Sequence, residues 1–295
     1  MRSWSSQGRS ATLRRVTNPS PVLNPPDLGE VPDIRLIALD IDGSLLDDEK
    51  QLHPDFWPLY ERLQARGVAV CPASGRQYAT LREQFEREGL VYIAENGAYV
   101  VRDGVELSSD PLLTSTAFAI IDAMRANSDG NRTGTVLCGK RSAYVERTDD
   151  AFLAHVRPYY LRLELVDDLR AVQDDMLKVA VYHFEAADHA ARVLARFDGP
   201  DRVLVSGKHW VDVMSSTADK GTALARVQTA LGVSREQTMA FGDYFNDVGM
   251  FEVAEWSFAM DNAHPEVRSR ARYIAPSNNR NGVVRTIAAA LAIEL

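Results

Sequence analysis

Cysteine is scarce in this chain: Cys71 and Cys138 are its two cysteines among 295 residues. They stand in no metal-type spacing, which excludes a disulfide framework or a zinc site as organising feature and fits a reducing, cytoplasmic setting. Long apolar runs are missing as well. No stretch approaches the roughly 20 residues of a membrane-spanning helix, and no apolar segment of a secretory signal stands near the start. There is no basic excess either. Lys and Arg number 33 against 41 acids, for a net charge of −8. Nucleic-acid binding normally needs a basic face and is therefore disfavoured. An anionic ligand must be met locally, by a metal or by a few placed cations. What remains is ordinary for a globular protein: 45% hydrophobic and 25% charged residues, in a length that allows two domains or one large one.

Residues 1–32 read differently from the rest. Arg2, Arg9, Arg14 and Arg15 sit among Ser, Thr, Asn and Pro, with no acid before Asp27. An Arg- and Ser-rich arm is compatible with a targeting peptide, but a disordered extension is the expectation. Pro21, Pro25, Pro26 and Pro32 form an extended lead-in to the first strand.

The chain is organised around Leu36-Ile37-Ala38-Leu39-Asp40-Ile41-Asp42-Gly43-Ser44. An apolar strand stops at an acid, a second acid follows, then Gly and a hydroxyl. Two carboxylates at the end of a buried strand are costly unless something cationic meets them. Phe56, Leu59, Tyr60 and Leu63 recur at helical spacing up to Gly67, and Val68–Cys71 is a second strand ending in Pro72-Ala73-Ser74-Gly75-Arg76. A helix through Leu81 and Phe85 is expected to stop at Gly89, before a strand over 91–94. This alternation predicts an α/β fold with a doubly wound, parallel, Rossmann-like sheet.

Between 108 and 208 the pattern changes. Helical stretches (115–126, 150–159, 186–197) alternate with β-type ones (135–138, 143–146, 177–184, 202–205), several of which come as adjacent strands without a helix between. This predicts an inserted α+β domain over 108–208, with the core formed by 33–107 and 209–295. From Trp210 the core pattern is expected to resume with Val211–Met214 as a strand. A helix with Leu224, Val227 and Leu231 on one face follows. Next comes the strand Thr238–Phe241, ended by Gly242-Asp243-Tyr244-Phe245-Asn246-Asp247.

In a parallel sheet the strand ends share one edge, so residues remote in sequence meet there. Asp40 and Asp243 are carboxylates suited to magnesium, which keeps water and a substrate oxygen beside one or two acids. Lys220 offsets phosphate charge. Ser44 and Ser74 offer hydroxyls, with backbone N–H groups nearby. Taken singly, each has a commoner use: a strand-end cap, a solvated lysine, a turn, an Asx motif or N-cap. Together, in this order, they describe a phosphoryl-transfer site.

The set resembles the haloacid dehalogenase superfamily of phosphohydrolases. Its motifs stand here as Asp40-Ile41-Asp42-Gly43-Ser44-Leu45, Ser74-Gly75-Arg76, Asp219-Lys220-Gly221 and Gly242-Asp243-Tyr244-Phe245-Asn246-Asp247. The position of the insertion, together with Asn96-Gly97-Ala98, Met260-Asp261-Asn262-Ala263 and Asn281-Gly282-Val283, is similar to the Cof-type branch with a large α/β cap. Two departures stand out. Ser44 replaces the usual Thr and keeps the hydroxyl, and Asp261 precedes Asn262 where another residue is common.

The resemblance implies roles. Asp40 is the nucleophile that forms an aspartyl-phosphate, and Asp42 is the general acid and then the base. Asp40 and Asp243 bind magnesium by carboxylate, and Asp42 does so through its backbone carbonyl. Asp247 supports the metal or orients Lys220. Gly43, Ser44, Ser74, Lys220 and Asn246 contact the phosphate. Arg76 either pairs with a carboxylate or faces substrate. In the cap, Lys178, His183, Arg141 and Tyr144 lie on or beside strands and are open between a solvated sheet face and a contact with the leaving group. The implied activity is hydrolysis of small phosphorylated metabolites, sugar phosphates or cofactor phosphates such as flavin mononucleotide or pyridoxal phosphate. Phosphosugar mutase chemistry is the alternative, although mutase relatives carry a smaller cap between the first two motifs. A non-catalytic phosphometabolite sensor would have no need of Asp40.

Overall fold

The computed structural model describes residues 31–127, 129 and 132–294. The N-terminal arm expected over 1–32 lies, for residues 1–30, outside the described residues. Fourteen strands are described: β1 (Leu36–Asp40), β2 (Ala69–Ala73), β3 (Val91–Ala94), β4 (Tyr99–Arg102), β5 (Val105–Ser109), β6 (Thr133–Gly139), β7 (Ala143–Val145), β8 (Leu163–Leu165), β9 (Met176–His183), β10 (Asp201–Val205), β11 (Trp210–Ser215), β12 (Thr238–Gly242), β13 (Trp256–Met260) and β14 (Tyr273–Ala275).

They form an eight-stranded sheet in the order β14-β13-β12-β1-β2-β3-β4-β5 and a six-stranded sheet in the order β10-β11-β9-β6-β7-β8. From β14 to β3 every pairing in the first sheet is parallel, while β3-β4 and β4-β5 are antiparallel. β1 is central, and all five of its residues are buried. Its apolar side chains explain the position, since each of Leu36, Ile37 and Leu39 gains about 1.5–3 kcal/mol by leaving water. Pairing aligns Asp40 with Ala73 of β2 and Leu39 with Phe241 of β12, so three strand ends lie side by side.

Helices cover this sheet. Phe56–Ala65 buries Phe56, Leu59, Tyr60 and Leu63, the periodic residues of the sequence. The next helix, Tyr78–Phe85, ends at Glu86 in a left-handed conformation, short of the expected stop at Gly89. Lys220–Leu231 starts with Asp219 accepting from the Gly221 and Thr222 N–H groups, and it ends at Gly232. That cap places Lys220 at the helix start, against the strand ends.

The second sheet is antiparallel except for the parallel pair β7-β8. It contains one strand that the sequence reading assigned to the core. Trp210–Ser215 pairs antiparallel with both β9 and β10, so the chain leaves the second sheet after Ser215, later than the expected boundary at 208/209. The physical reason is that Val211, Val213 and Met214 carry the same apolar character in either sheet; the pairing partner decides, and it is remote. Of the helices there, Thr114–Ala126 begins just before its expected stretch, while Asp150–Val156 and Asp188–Leu194 lie within theirs and run shorter at their C-terminal ends. No helix among the described residues is long and apolar enough to cross a membrane.

Candidate active site

The strand ends of β1, β2 and β12 and the start of helix Lys220–Leu231 converge on one cluster. Lys220, buried to 1% exposure, donates to Asp40 Oδ1 at 2.6 Å and to Asp247 Oδ1 at 2.7 Å. Burial would favour the neutral amine, but Asp247 and Asp40 outweigh it and raise the Lys220 pKa. Carboxylate oxygens of Asp40, Asp243 and Asp247 lie within 4.8 Å of one another. One lysine faces three acids there, two of them buried. Desolvation, followed by Asp247, raises the pKa of Asp243 to about 6. Desolvation and Asp247 also raise that of Asp40, against the opposing pull of Lys220.

Two buried oxygens mark what the cluster can accept. Asp40 Oδ2 and Ser44 Oγ are buried with no hydrogen-bond partner among the described residues. Such atoms are rare, and here Asp40 Oδ2 suits a cation and the Ser44 hydroxyl suits an anionic oxygen. A divalent cation between Asp40 and Asp243 supplies what Asp40 Oδ2 and the surplus negative charge lack, so the donor set fits magnesium. Asp247 is differently placed within this trio. Its Oδ1 serves Lys220, and its Oδ2 accepts from the Asp243 and Tyr244 N–H groups at 2.9 and 3.1 Å. Both oxygens are thus engaged in orienting neighbours, and one of those neighbours is Asp243.

Asp42 stands apart from the carboxylate trio. Arg76 holds it with two bonds, Nε to Oδ2 at 2.9 Å and Nη2 to Oδ1 at 2.6 Å, and Lys50 reaches Oδ1 at 3.0 Å. Desolvation alone would raise its pKa, but Arg76 and then Lys50 prevail and hold it below the ordinary carboxylate range. The side chain is therefore no member of the metal cluster, and the sequence reading had given it that part only through its backbone carbonyl. Arg76, left open by the sequence, is paired with a carboxylate.

Gly43 shows why this loop needs glycine. Its φ is +87°, and a Cβ there would lie 2.3 Å from Asp243 Oδ2. Any side chain would push the carboxylate away and strain the backbone. The same loop is fixed from outside, since Asn262 Nδ2 donates to Gly43 O at 2.8 Å and Asn278 Nδ2 donates to Leu46 O at 3.1 Å. Ser74 follows the end of β2, and its Oγ accepts the Arg76 N–H at 3.2 Å. Asn246 is half-buried, with Nδ2 donating to Asn96 Oδ1 at 3.1 Å.

The structure thus gathers Asp40, Lys220, Asp243 and Asp247, with Gly43 against Asp243, while Asp42 and Ser74 meet at Arg76 and Asn246 meets Asn96. The sequence reading assigned no role to Asn262, Asn278 and Asn96. Asn96 and Asn262 stood in quoted motifs, but nothing in their spacing told which backbone they would reach. In the second sheet Lys178, His183 and Tyr144 are buried rather than solvated, and only Arg141 is exposed. His183 pairs with Asp129 at 2.9 Å, and Tyr144 donates to Asp174 at 2.9 Å. Cys71 and Cys138 are buried, and desolvation pushes both thiols up, away from the reactive thiolate.

Comparison with known proteins places these features in a wider group. Residues 37–287 match the family of haloacid dehalogenase-like hydrolases. A curated relative, the 5-amino-6-(5-phospho-D-ribitylamino)uracil phosphatase YbjI of Escherichia coli (strain K12), is 32% identical over 260 residues, covering 86% of this chain and 95% of that protein. The pyridoxal phosphate phosphatase YbhA of the same organism is 24% identical over 272 residues, covering 86% of this chain and 97% of that protein. Among solved structures, that of SMU.1108c from Streptococcus mutans UA159 superposes with a TM-score of 0.76 at 26% identity, covering 88% of this chain and 99% of that one.

Proposed function

The chain belongs to the haloacid dehalogenase-like hydrolase family, and from that premise we propose that it is a magnesium-dependent phosphatase of small phosphorylated metabolites, working through an aspartyl-phosphate on Asp40. The observation that carries the reading is the state of Asp40: one oxygen is held by Lys220, and the other is buried without a partner. A carboxylate so held is oriented: Oδ2 is the oxygen a divalent cation would engage, and Oδ1, beside the Lys220 ammonium, would be the one to attack phosphorus.

Magnesium bound between Asp40 and Asp243 would neutralise charge on the phosphoryl group and on Asp40. Lys220 would add a positive charge beside Asp40, and the Ser44 and Ser74 hydroxyls with Asn246 would hold non-bridging oxygens. Asp40 attacks phosphorus, and the ester oxygen leaves as the P–O bond breaks. Asp42 protonates that oxygen, then takes a proton from the water that cleaves the acyl-phosphate and returns Asp40. Arg76 keeps Asp42 ionised, the form that accepts a proton. To act as acid Asp42 must first take up a proton, which weakens its pair with Arg76.

The organic part of the substrate meets a different surface. Tyr244 and Phe245 are 57% and 46% exposed, directly after Asp243, and Phe245 lies 4.8 Å from the His264 ring. Exposed aromatic faces beside the phosphate site suit a planar ring. This favours cofactor-type phosphates, in keeping with relatives that act on a ribitylaminouracil phosphate and on pyridoxal phosphate.

The test is phosphate release from p-nitrophenyl phosphate with magnesium. The wild type is expected to turn over and Asp40→Asn to be inactive while keeping its circular dichroism spectrum. Equal rates in the two proteins would remove Asp40 from the chemistry.

A further inference from the structure

Three successive carbonyls of the loop 74–76 are each held by a different donor. The Asn96 N–H donates to Ser74 O at 2.9 Å, and the Glu95 N–H donates to Arg76 O at 3.1 Å. Between them, Gly75 O accepts from the Lys178 ammonium at 3.2 Å. Lys178 belongs to β9, in the other sheet. Its ammonium also meets Glu95 Oε2 at 2.8 Å and Asp212 Oδ2 at 3.3 Å, with all three side chains buried. The groups around it are Glu95 from the turn after β3, Asp212 from β11, Cys138 from β6 and the Tyr160 ring, 6.0 Å away.

A buried ion cluster contributes little net stability, because desolvation offsets the attraction. What it provides is direction: an ammonium among two carboxylates and one carbonyl has a single good position. The receiving turn is itself unusual. Glu95, Asn96 and Gly97 hold φ of +49°, +55° and +103° in succession. Such backbone persists only where surrounding contacts enforce it. The same turn reaches the remaining parts of the site. Asn96 Oδ1 accepts from Asn246, and a Cβ at Gly97 would lie 2.3 Å from the backbone Asp219 O and 3.0 Å from the backbone N of Lys220.

We propose that Lys178 is a positioning residue for the phosphoryl site: seated on Gly75 and Glu95, it registers the loop 74–76 and, through the Glu95–Gly97 turn, Asn246 and Lys220. Assembly of the site then depends on docking of the second sheet. The kinetic consequence rests on the phosphatase reading, but the coupling itself has a readout that needs no turnover.

Two variants of the full chain test it. Lys178→Met removes the ammonium at similar volume. Asn96→Gly removes the link to Asn246, and glycine adopts positive φ freely, so folding is retained. Turnover of p-nitrophenyl phosphate with magnesium is measured alongside melting temperature and hydrogen exchange over 74–76, 95–97 and 245–248. Lys178→Met is expected to lower kcat by about tenfold or more, as misplacement of site groups does, and to raise exchange in all three segments together. Asn96→Gly is expected to lower kcat by about fivefold or more with an unchanged or higher melting temperature. A kcat within about twofold of wild type for Asn96→Gly, or faster exchange in Lys178→Met confined to the second sheet, overturns the proposal. If Lys178→Met does not fold, Asn96→Gly decides. If the wild type itself releases no phosphate while exchange spreads to 245–248 in Lys178→Met, the phosphatase reading fails and the coupling stands.

Discussion

Replacing Lys220 by Met should destabilise the metal-free protein strongly, and more so at pH 7 than at pH 5. Lys220 is a buried cation bonded to two acids, with a third acid in the same cluster. Methionine fills a similar volume, so packing loss is small and the charge effect dominates. Removing one partner of a buried pair costs about 3–5 kcal/mol, because the remaining charge is left uncompensated. For a chain of this size that corresponds to a fall in melting temperature on the order of 10 °C. The pH dependence follows from the direction of the carboxyl shifts. Asp40 and Asp243 already have raised pKa values, and losing Lys220 raises them further. A folded-state acid with a raised pKa binds more protons than the unfolded chain does, so stability falls as pH rises through that range. The deficit of Lys220→Met should therefore shrink toward pH 5 and widen toward pH 7. Magnesium should restore part of it by replacing the lost charge. The assay is thermal unfolding in EDTA and in magnesium at both values of pH. A variant as stable as wild type at pH 7 without metal, or a deficit that grows on acidification, would refute the electrostatic account.

Three further outcomes are expected. Protons and magnesium compete for Asp243, whose pKa of about 6 makes apparent magnesium affinity about tenfold weaker at pH 5 than at pH 7; calorimetric titration at the two values checks this, and equal affinities contradict it. Arg76→Ala releases Asp42, so the Asp42 pKa rises and the limb of the pH–rate profile that reports it moves to higher pH; an unmoved limb separates Arg76 from the proton transfer. Phe245→Ala should raise KM for pyridoxal phosphate several-fold while leaving KM for a hexose phosphate within about twofold; equal effects on both would mean that the ring carries no preference for a planar leaving group.

How much of this was legible in the sequence depended on where each signal resides. Asp40, Ser74 and Asp243 could be found because each closes an apolar strand, and parallel strands bring their ends to one edge by topology alone. Lys220 followed from the helix start that Asp219 caps. Membership of β11 was not legible, since Val211, Val213 and Met214 suit either sheet and only the remote pairing with β9 and β10 decides.

Lys178 is the more instructive case. In Leu177-Lys178-Val179-Ala180-Val181 the alternation puts Lys178 opposite the apolar residues, and a polar position on a half-buried sheet normally faces water. Here every residue of β9 is buried. Val179 and Val181 pack with the helices on one face, while Ala180 and Tyr182 pack with Phe152 and Tyr160 on the other. What covers Lys178 arrives from 103 residues upstream in the case of Gly75. The groups that perform the chemistry are declared locally, by residue type at a strand end. The groups that bring those strand ends into register with the second sheet carry no local mark, because a buried lysine differs from a solvated one only in what folds over it.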